Sequence, residues 1–167
     1  MDIKIIYSFN TVKTAKIADK IADAFGSDQI EKVNAEDITS EKFLEGDALI
    51  LGVATWFDGE LPNYWDEFLP DLEELKLNNK KIALFGLGDQ KGYPENFVDA
   101  LGIMAEILEA RGATIVGQTP VEGYKFEHSK GQRGDKFLGL ALDYENQASM
   151  HKERIKTWVE QLKNEFN

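Results

Sequence analysis

Apolar positions along the chain recur with two different periods, and the two alternate. Ile3–Ser8 is a short apolar run followed by a polar loop at Asn10–Thr11. Ile17, Ile21, Ala22 and Phe25 then recur at helical spacing, which predicts a helix to about Phe25. Ile30–Val33 reads as a weak strand and Ile38–Leu44 as a short helix. Ala48–Ala54 is almost continuously apolar, the mark of a strand covered on both faces. Trp65, Phe68, Leu69 and Leu72 predict the next helix, and Lys81–Leu87 a second buried strand. Phe97, Leu101, Met104, Ile107 and Leu108 mark a long helix that stops near Arg111-Gly112, a basic residue and a glycine. Thr114–Val116 begins a fifth strand, and Ile155, Val159 and Leu162 predict a last helix. Five strands alternating with helices imply an α/β fold with an open, parallel, doubly wound sheet. One stretch breaks the rhythm. From Gln118 to Phe137 the chain carries Gly123, Gly131 and Gly134 with Lys125, Lys130, Arg133 and Lys136, and apolar sequence returns only at Phe137–Leu142. This is an excursion of about twenty residues into the last strand, and loops that long are uncommon without a use. Its four cations read as a solvated loop surface.

Composition narrows the chemistry. A chain of 167 residues is expected to form one domain, 1–167. It holds no cysteine, which excludes disulfides, thiolate nucleophiles and Cys-bound metal clusters. The two histidines, His128 and His151, make a poor basis for a metal site and are expected at the surface. The formal charge of −11 argues against nucleic acid and in favour of a basic protein partner. The longest apolar runs fall well short of the roughly 20 residues of a membrane span. The first residues lack the basic region and long apolar stretch of a signal peptide, so a cytoplasmic protein with no membrane insertion is expected.

Ligands of doubly wound sheets bind beyond the carboxyl ends of the strands, where the strand order reverses. Three loops therefore matter. Ser8–Thr14 is hydroxyl-rich and leads into a helix, whose N-terminus suits a phosphate. Simple capping by Asn10 or Thr11 explains the same residues. Neither GxxxxGK[ST] nor GxGxxG is present, which removes the P-loop and dinucleotide readings. In Thr55–Pro62, Trp56 follows a buried strand, and in Gly88–Asn96, Tyr93 is placed equivalently. Each aromatic alone could fold back on the protein. Two of them beside a phosphate-type loop predict a sandwich for a planar phosphorylated ligand. Tyr7, Trp65 and Phe85 are expected in the core.

These residues resemble those of flavodoxins, and of the long-chain variety. The resemblance spans essentially the whole chain. It is most specific at Gly86-Leu87-Gly88-Asp89-Gln90 with Gly92-Tyr93, at Glu122-Gly123-Tyr124, at Phe137–Asp143 and in the tail around Trp158-Val159 and Gln161-Leu162. It implies a three-layer sandwich with a five-stranded parallel sheet in the order 2-1-3-4-5, interrupted in its last strand by the insertion that distinguishes long-chain members. It also implies bound FMN. Asn10, Thr11, Val12, Lys13 and Thr14, with Phe9 before them, would wrap the phosphate. Trp56 would stack on the inner face of the isoalloxazine and Tyr93 on the outer face. Asp89 would bond the pyrimidine side, and Asn96 and Asp143 would lie near the ring or ribityl chain. Ala54, Thr55, Gly59, Leu87, Gly88 and Phe97 fall along the same contour, although Phe97 also reads as core. The Phe57–Asp58 peptide corresponds to the one that turns over on reduction.

The chain departs from the family pattern at Phe9, where Ser or Thr is usual, and at Val12, where Gly is usual. Phe9 removes a hydroxyl, and β-branched Val12 disfavours positive φ. Phe57 stands where Asn or Gly is common. The implied function is low-potential one-electron transfer without a substrate of its own. The protein would act as a monomer between basic redox partners: a ferredoxin/flavodoxin-NADP reductase or another donor, and an acceptor oxidoreductase. Seven acids and no Lys or Arg lie between Phe57 and Leu75, a candidate docking surface. The alternatives are an FMN-dependent NAD(P)H:quinone reductase and a flavin-free interaction domain.

Overall fold

A computed structural model describes all residues, Met1–Asn167. The parallel sheet is built from β1 (Ile3–Tyr7), β2 (Ile30–Asn34), β3 (Ala48–Gly52), β4 (Lys81–Gly88) and β5 (Thr114–Val116), in the order β2-β1-β3-β4-β5. The central strands are apolar because both faces are covered. All five residues of β3 are buried, and so are Ile82 to Gly86 of β4. Alternate side chains then go to opposite layers. Ile5, Tyr7, Ile50 and Phe85 pack with α1 (Lys13–Phe25) and α5 (His151–Glu165). Ile6, Leu49, Leu51 and Leu84 pack with α2 (Ser40–Glu45), α3 (Asn63–Leu72) and α4 (Asp99–Ala110). The expected three-layer α/β/α sandwich is therefore present, with Tyr7, Trp65 and Phe85 in its core.

The last strand comes in two pieces along one neighbour. Thr114–Val116 pairs with Lys81–Ala83, and after the excursion β9 (Leu140–Asp143) pairs with Phe85–Gly88. The excursion is more regular than its composition suggests. Thr119–Pro120 (β6), Gln132–Arg133 (β7) and Lys136–Phe137 (β8) form a small antiparallel sheet in the order β6-β8-β7. Its Arg133 pairs with Glu109 of α4, 2.8 Å away. Glycine is required where the excursion crosses α4: a Cβ on Gly102 would lie 1.9 Å from the Lys130 carbonyl oxygen.

Two expectations are corrected. The helix expected from Phe97 starts at Asp99, because Val98 is left-handed at φ +47° and the turn before it cannot be helical. The short helix expected within Ile38–Leu44 is present as α2 from Ser40, preceded by a 3-10 turn at Ala35–Asp37. His151 is buried, packed 5.2 Å from the Tyr144 ring, with Nε2 unpartnered. His128 is exposed.

Candidate functional site

The loops after β1, β3 and β4 meet at the carboxyl edge of the sheet, where the chain crosses from β1 to its two neighbours. A cleft of about 560 Å³ opens there between the β3 and β4 loops, within the range of small-molecule sites. Trp56, Phe57, Asp58 and Thr55 line it from one loop, and Leu87, Gly88, Asp89 and Tyr93 from the other. Asn96, Phe97 and Val98 close its end; Phe97 is thus both a core residue and a lining residue.

The β3 loop is a tight turn. Trp56 and Glu60 exchange backbone bonds of 2.8 and 2.7 Å across it. The turn needs left-handed residues at Phe57 (φ +51°) and Gly59 (φ +94°). Only glycine suits the second position, since a Cβ there would meet Asp99 Oδ2 at 2.5 Å. Phe57 adopts the same region despite its side chain, at a cost of about 1 kcal/mol. The turn presents Phe57 to solvent, 77% exposed, and keeps Trp56 half-buried, edge-on to Tyr64 at 5.9 Å. Burial pushes the Tyr64 hydroxyl up to about 12.

Two contacts fasten this turn to the β4–α4 loop and to the start of α4. Asn96 donates from Nδ2 to the Asp58 carbonyl at 3.2 Å, and the Thr55 hydroxyl accepts the Ala100 amide at 3.0 Å. On the opposite wall Tyr93 is 61% exposed, so its ring is available to stack. Asp89 accepts at Oδ1 from the amides of Gly92 (2.8 Å) and Lys91 (3.1 Å) and from Asn146 Nδ2 (2.8 Å). The Gly92 amide bond first, then the Asn146 bond, hold this carboxyl below the usual carboxylate range.

The loop after β1 is braced from below. Ser8 Oγ and Asn10 Nδ2 both donate to Glu36 Oε2, at 2.7 and 2.5 Å, and the Phe9 amide donates to Asn34 Oδ1. Thr11 Oγ1 donates back to the Ser8 carbonyl at 2.7 Å. Neither Asn10 nor Thr11 caps α1. Val12 holds the capping position and offers no side-chain acceptor. The first-turn amides therefore stay available to an anion. Val12 is right-handed, at φ −93°, so the β-branched residue sits without conformational conflict. Thr14 is buried, whereas Phe9, Val12 and Lys13 are exposed.

Asp143, fully buried, does not line the cleft. Its oxygens accept from the Gln90 amide (3.1 Å) and Nε2 (2.7 Å) and from the Asn146 amide (2.9 Å). It ties the β4 loop to the β9–α5 turn. Ala54 and Gly59 also lie behind the lining rather than in it. Sequence reasoning missed Glu36, Gln90 and Asn146, whose roles depend on partners 26 to 57 residues away. The arrangement is suited to a flat ligand between aromatic walls, with an anionic tail at α1 and an N–H edge toward Asp89.

The sequence of the flavodoxin family matches residues 5–158. A flavodoxin of Synechococcus elongatus is 42% identical over 98% of this chain and 97% of its own length. Flavodoxin 1 of Escherichia coli K12 is 43% identical over 98% of this chain and 93% of its own. The crystal structure of Fusobacterium nucleatum flavodoxin bound to flavin mononucleotide superposes with a TM-score of 0.93, at 32% identity, covering 99% of both chains.

Proposed function

The chain belongs to the flavodoxin family, and on that premise we propose how its cleft and the uncapped start of α1 divide the cofactor between them. The protein is an FMN-based electron carrier, not an enzyme. When bound, FMN supplies reversible one-electron chemistry. Trp56 and Tyr93 would hold its ring system between them, Asp89 would take the pyrimidine edge, and the amides from Val12 to Thr14 would take the phosphate, since the Thr11 amide already donates to the Ser8 carbonyl. The observation that carries this reading is the adjacency of an aromatic-walled cleft and a helix start left uncapped at the point where strand order reverses.

The residues present fit that group. Asp89 Oδ2 accepts no bond from the protein and is free for a ligand N–H. The helix start offers amides without a competing side-chain cap. Aromatic walls exclude water and so disfavour added negative charge. Asp58, Glu60, Asp66, Glu67, Asp71, Glu73 and Glu74 do the same at longer range. All seven are exposed, and none forms an ion pair. Both effects lower the potential of the electron that is passed on.

The same acids form the face offered to partners, with Phe57 and Tyr93 exposed beside it. We read the partners as basic redox proteins: a ferredoxin/flavodoxin-NADP reductase or another donor, and an acceptor oxidoreductase. Steering of this kind accelerates encounter and is weakened by salt. No helix is long and apolar enough to cross a membrane. We place the protein in the cytoplasm, as a monomer and a single domain over 1–167.

The test is a visible titration of flavin-free protein with FMN, followed by anaerobic stepwise reduction. One-to-one saturation and two resolved one-electron steps are expected. Absence of binding would refute the site, and a single two-electron step would refute the carrier.

A further inference from the structure

We propose that Asn146 is a positioning residue for the cleft, orienting Asp89 so that only one carboxylate oxygen is left for the ligand. The proposal rests on the reading that this cleft takes a flavin. Asn146 lies outside the cleft lining, on the exposed turn between β9 and α5. Its Nδ2 reaches Asp89 Oδ1 at 2.8 Å and both oxygens of Asp143, at 3.0 and 2.9 Å. One amide group thus bridges two carboxylates that would otherwise repel each other.

The consequence at Asp89 is asymmetric. Oδ1 takes three donors, from Lys91, Gly92 and Asn146, and is saturated. Oδ2 takes none. The two backbone donors alone belong to the same turn as Asp89 and move with it. Asn146 is the one donor that refers the carboxylate to the rest of the protein, because Asp143 is fully buried at the end of β9. The turn is anchored on its other side too: Glu145 forms an ion pair with Lys13, the first residue of α1. The Lys13 ammonium also lies 5.3 Å over the Tyr144 ring. The β9–α5 turn therefore straps the phosphate loop and the cleft wall together, with Asn146 at the cleft end.

A ligand that donates an N–H to Oδ2 gains from this orientation, and a ligand without that N–H does not. The experiment compares FMN with 3-methyl-FMN, in which the imide N–H is replaced by a methyl group, on flavin-free wild type and on Asn146→Leu. Wild type is expected to favour FMN by about tenfold, the scale of one hydrogen bond to a charged acceptor. In Asn146→Leu the FMN affinity should fall about tenfold, with 3-methyl-FMN changed less than threefold, so the preference disappears. Asn146→Asp, which keeps the shape but cannot donate when ionised, should show the same loss of preference at pH 7.5. It serves if the leucine variant folds poorly. Equal weakening of both flavins would mean a general structural role and would overturn the proposal, as would an unchanged preference in both variants. Failure of wild type to bind either flavin would instead overturn the reading of the cleft itself.

Discussion

Replacing Asp143 by Asn tests whether this residue is a structural hub, as its burial indicates, and not a ligand group. The change is isosteric, so packing is preserved. The electrostatics are not. In the native protein Oδ2 accepts from Gln90 N and Nε2 and from Asn146 Nδ2, and Oδ1 accepts from Asn146 N and Nδ2. In Asp143→Asn one of these oxygens becomes an NH2 group facing two or three donors. Hydrogen bonds to a charged group contribute roughly 1.5–3 kcal/mol each, and a stranded buried donor costs about as much again. Allowing for partial relaxation, the loss should be about 3–5 kcal/mol, a large fraction of ordinary domain stability. Urea unfolding of the flavin-free protein at pH 7, followed by tryptophan fluorescence, reads it directly. Burial pushes the Asp143 carboxyl up, but its bonds to Asn146 and Gln90 outweigh this and hold it below 3.8. Its contribution is therefore complete above pH 3.8 and lost as pH falls through the lower folded value. Wild type and variant should converge only in strong acid. A variant within 1 kcal/mol of wild type at pH 7 would refute the hub.

Gly102→Ala puts a Cβ 1.9 Å from the Lys130 carbonyl oxygen, so the excursion must shift from α4; a loss of about 3 kcal/mol in urea unfolding is expected. Burial holds the His151 imidazole below its ordinary 6.5, so the stability of its neutral form is full above pH 6.5 and declines as pH falls through the folded value. His151→Leu should flatten the stability profile between pH 6.5 and 5, and an unchanged slope would place its origin elsewhere. Val12→Gly should alter the FMN dissociation constant less than threefold, because Val12 already has φ −93°; a tenfold tightening would show that positive φ is needed when phosphate binds. Neutralising Asp66, Glu67 and Asp71 together as amides should slow association with a basic reductase about tenfold at low salt in stopped-flow. The difference should shrink at high ionic strength.

What was legible in the sequence is what a buried parallel sheet imposes on its own residues. Ala48–Gly52 is apolar throughout because neither face meets water, and the pause at Gln118 followed by renewed apolar sequence at Phe137 marks one strand in two pieces. The aromatic positions were legible because Trp56 and Tyr93 lie in the loops that leave such strands. Side-chain partnerships across the fold were not. The start of α4 depends on Val98 turning left-handed while Thr55, forty-five residues earlier, accepts the Ala100 amide. The strands of the excursion are two residues long, too short for any periodicity. His151 opens a helix, a position that reads as surface, yet Tyr144 folds over it. Asn146 carries no local signal, because its meaning comes from two carboxylates that only the folded chain brings together.

The β1–α1 loop, proposed to take the phosphate, suits an anion despite its atypical residues. In a hydroxyl-based loop, each lost Ser or Thr removes a donor, and Phe9 would be a defect. Here the polar side chains are already committed to the protein. Ser8 and Asn10 bond Glu36, and Thr11 bonds the Ser8 carbonyl. The loop is fixed by these contacts and by the Asn34 side chain under the Phe9 amide. What it presents outward is main chain, aligned at the start of a helix whose dipole favours an anion. A main-chain donor does not depend on the identity of its side chain, so Phe9 and Val12 are free to be apolar. The same logic places Glu36 correctly. A carboxylate so near a phosphate site would oppose binding if it faced the ligand, but one of its oxygens is occupied by two donors of the loop it braces. Rigidity beneath the loop, and not extra hydroxyls above it, is what leaves the amides in place to receive charge.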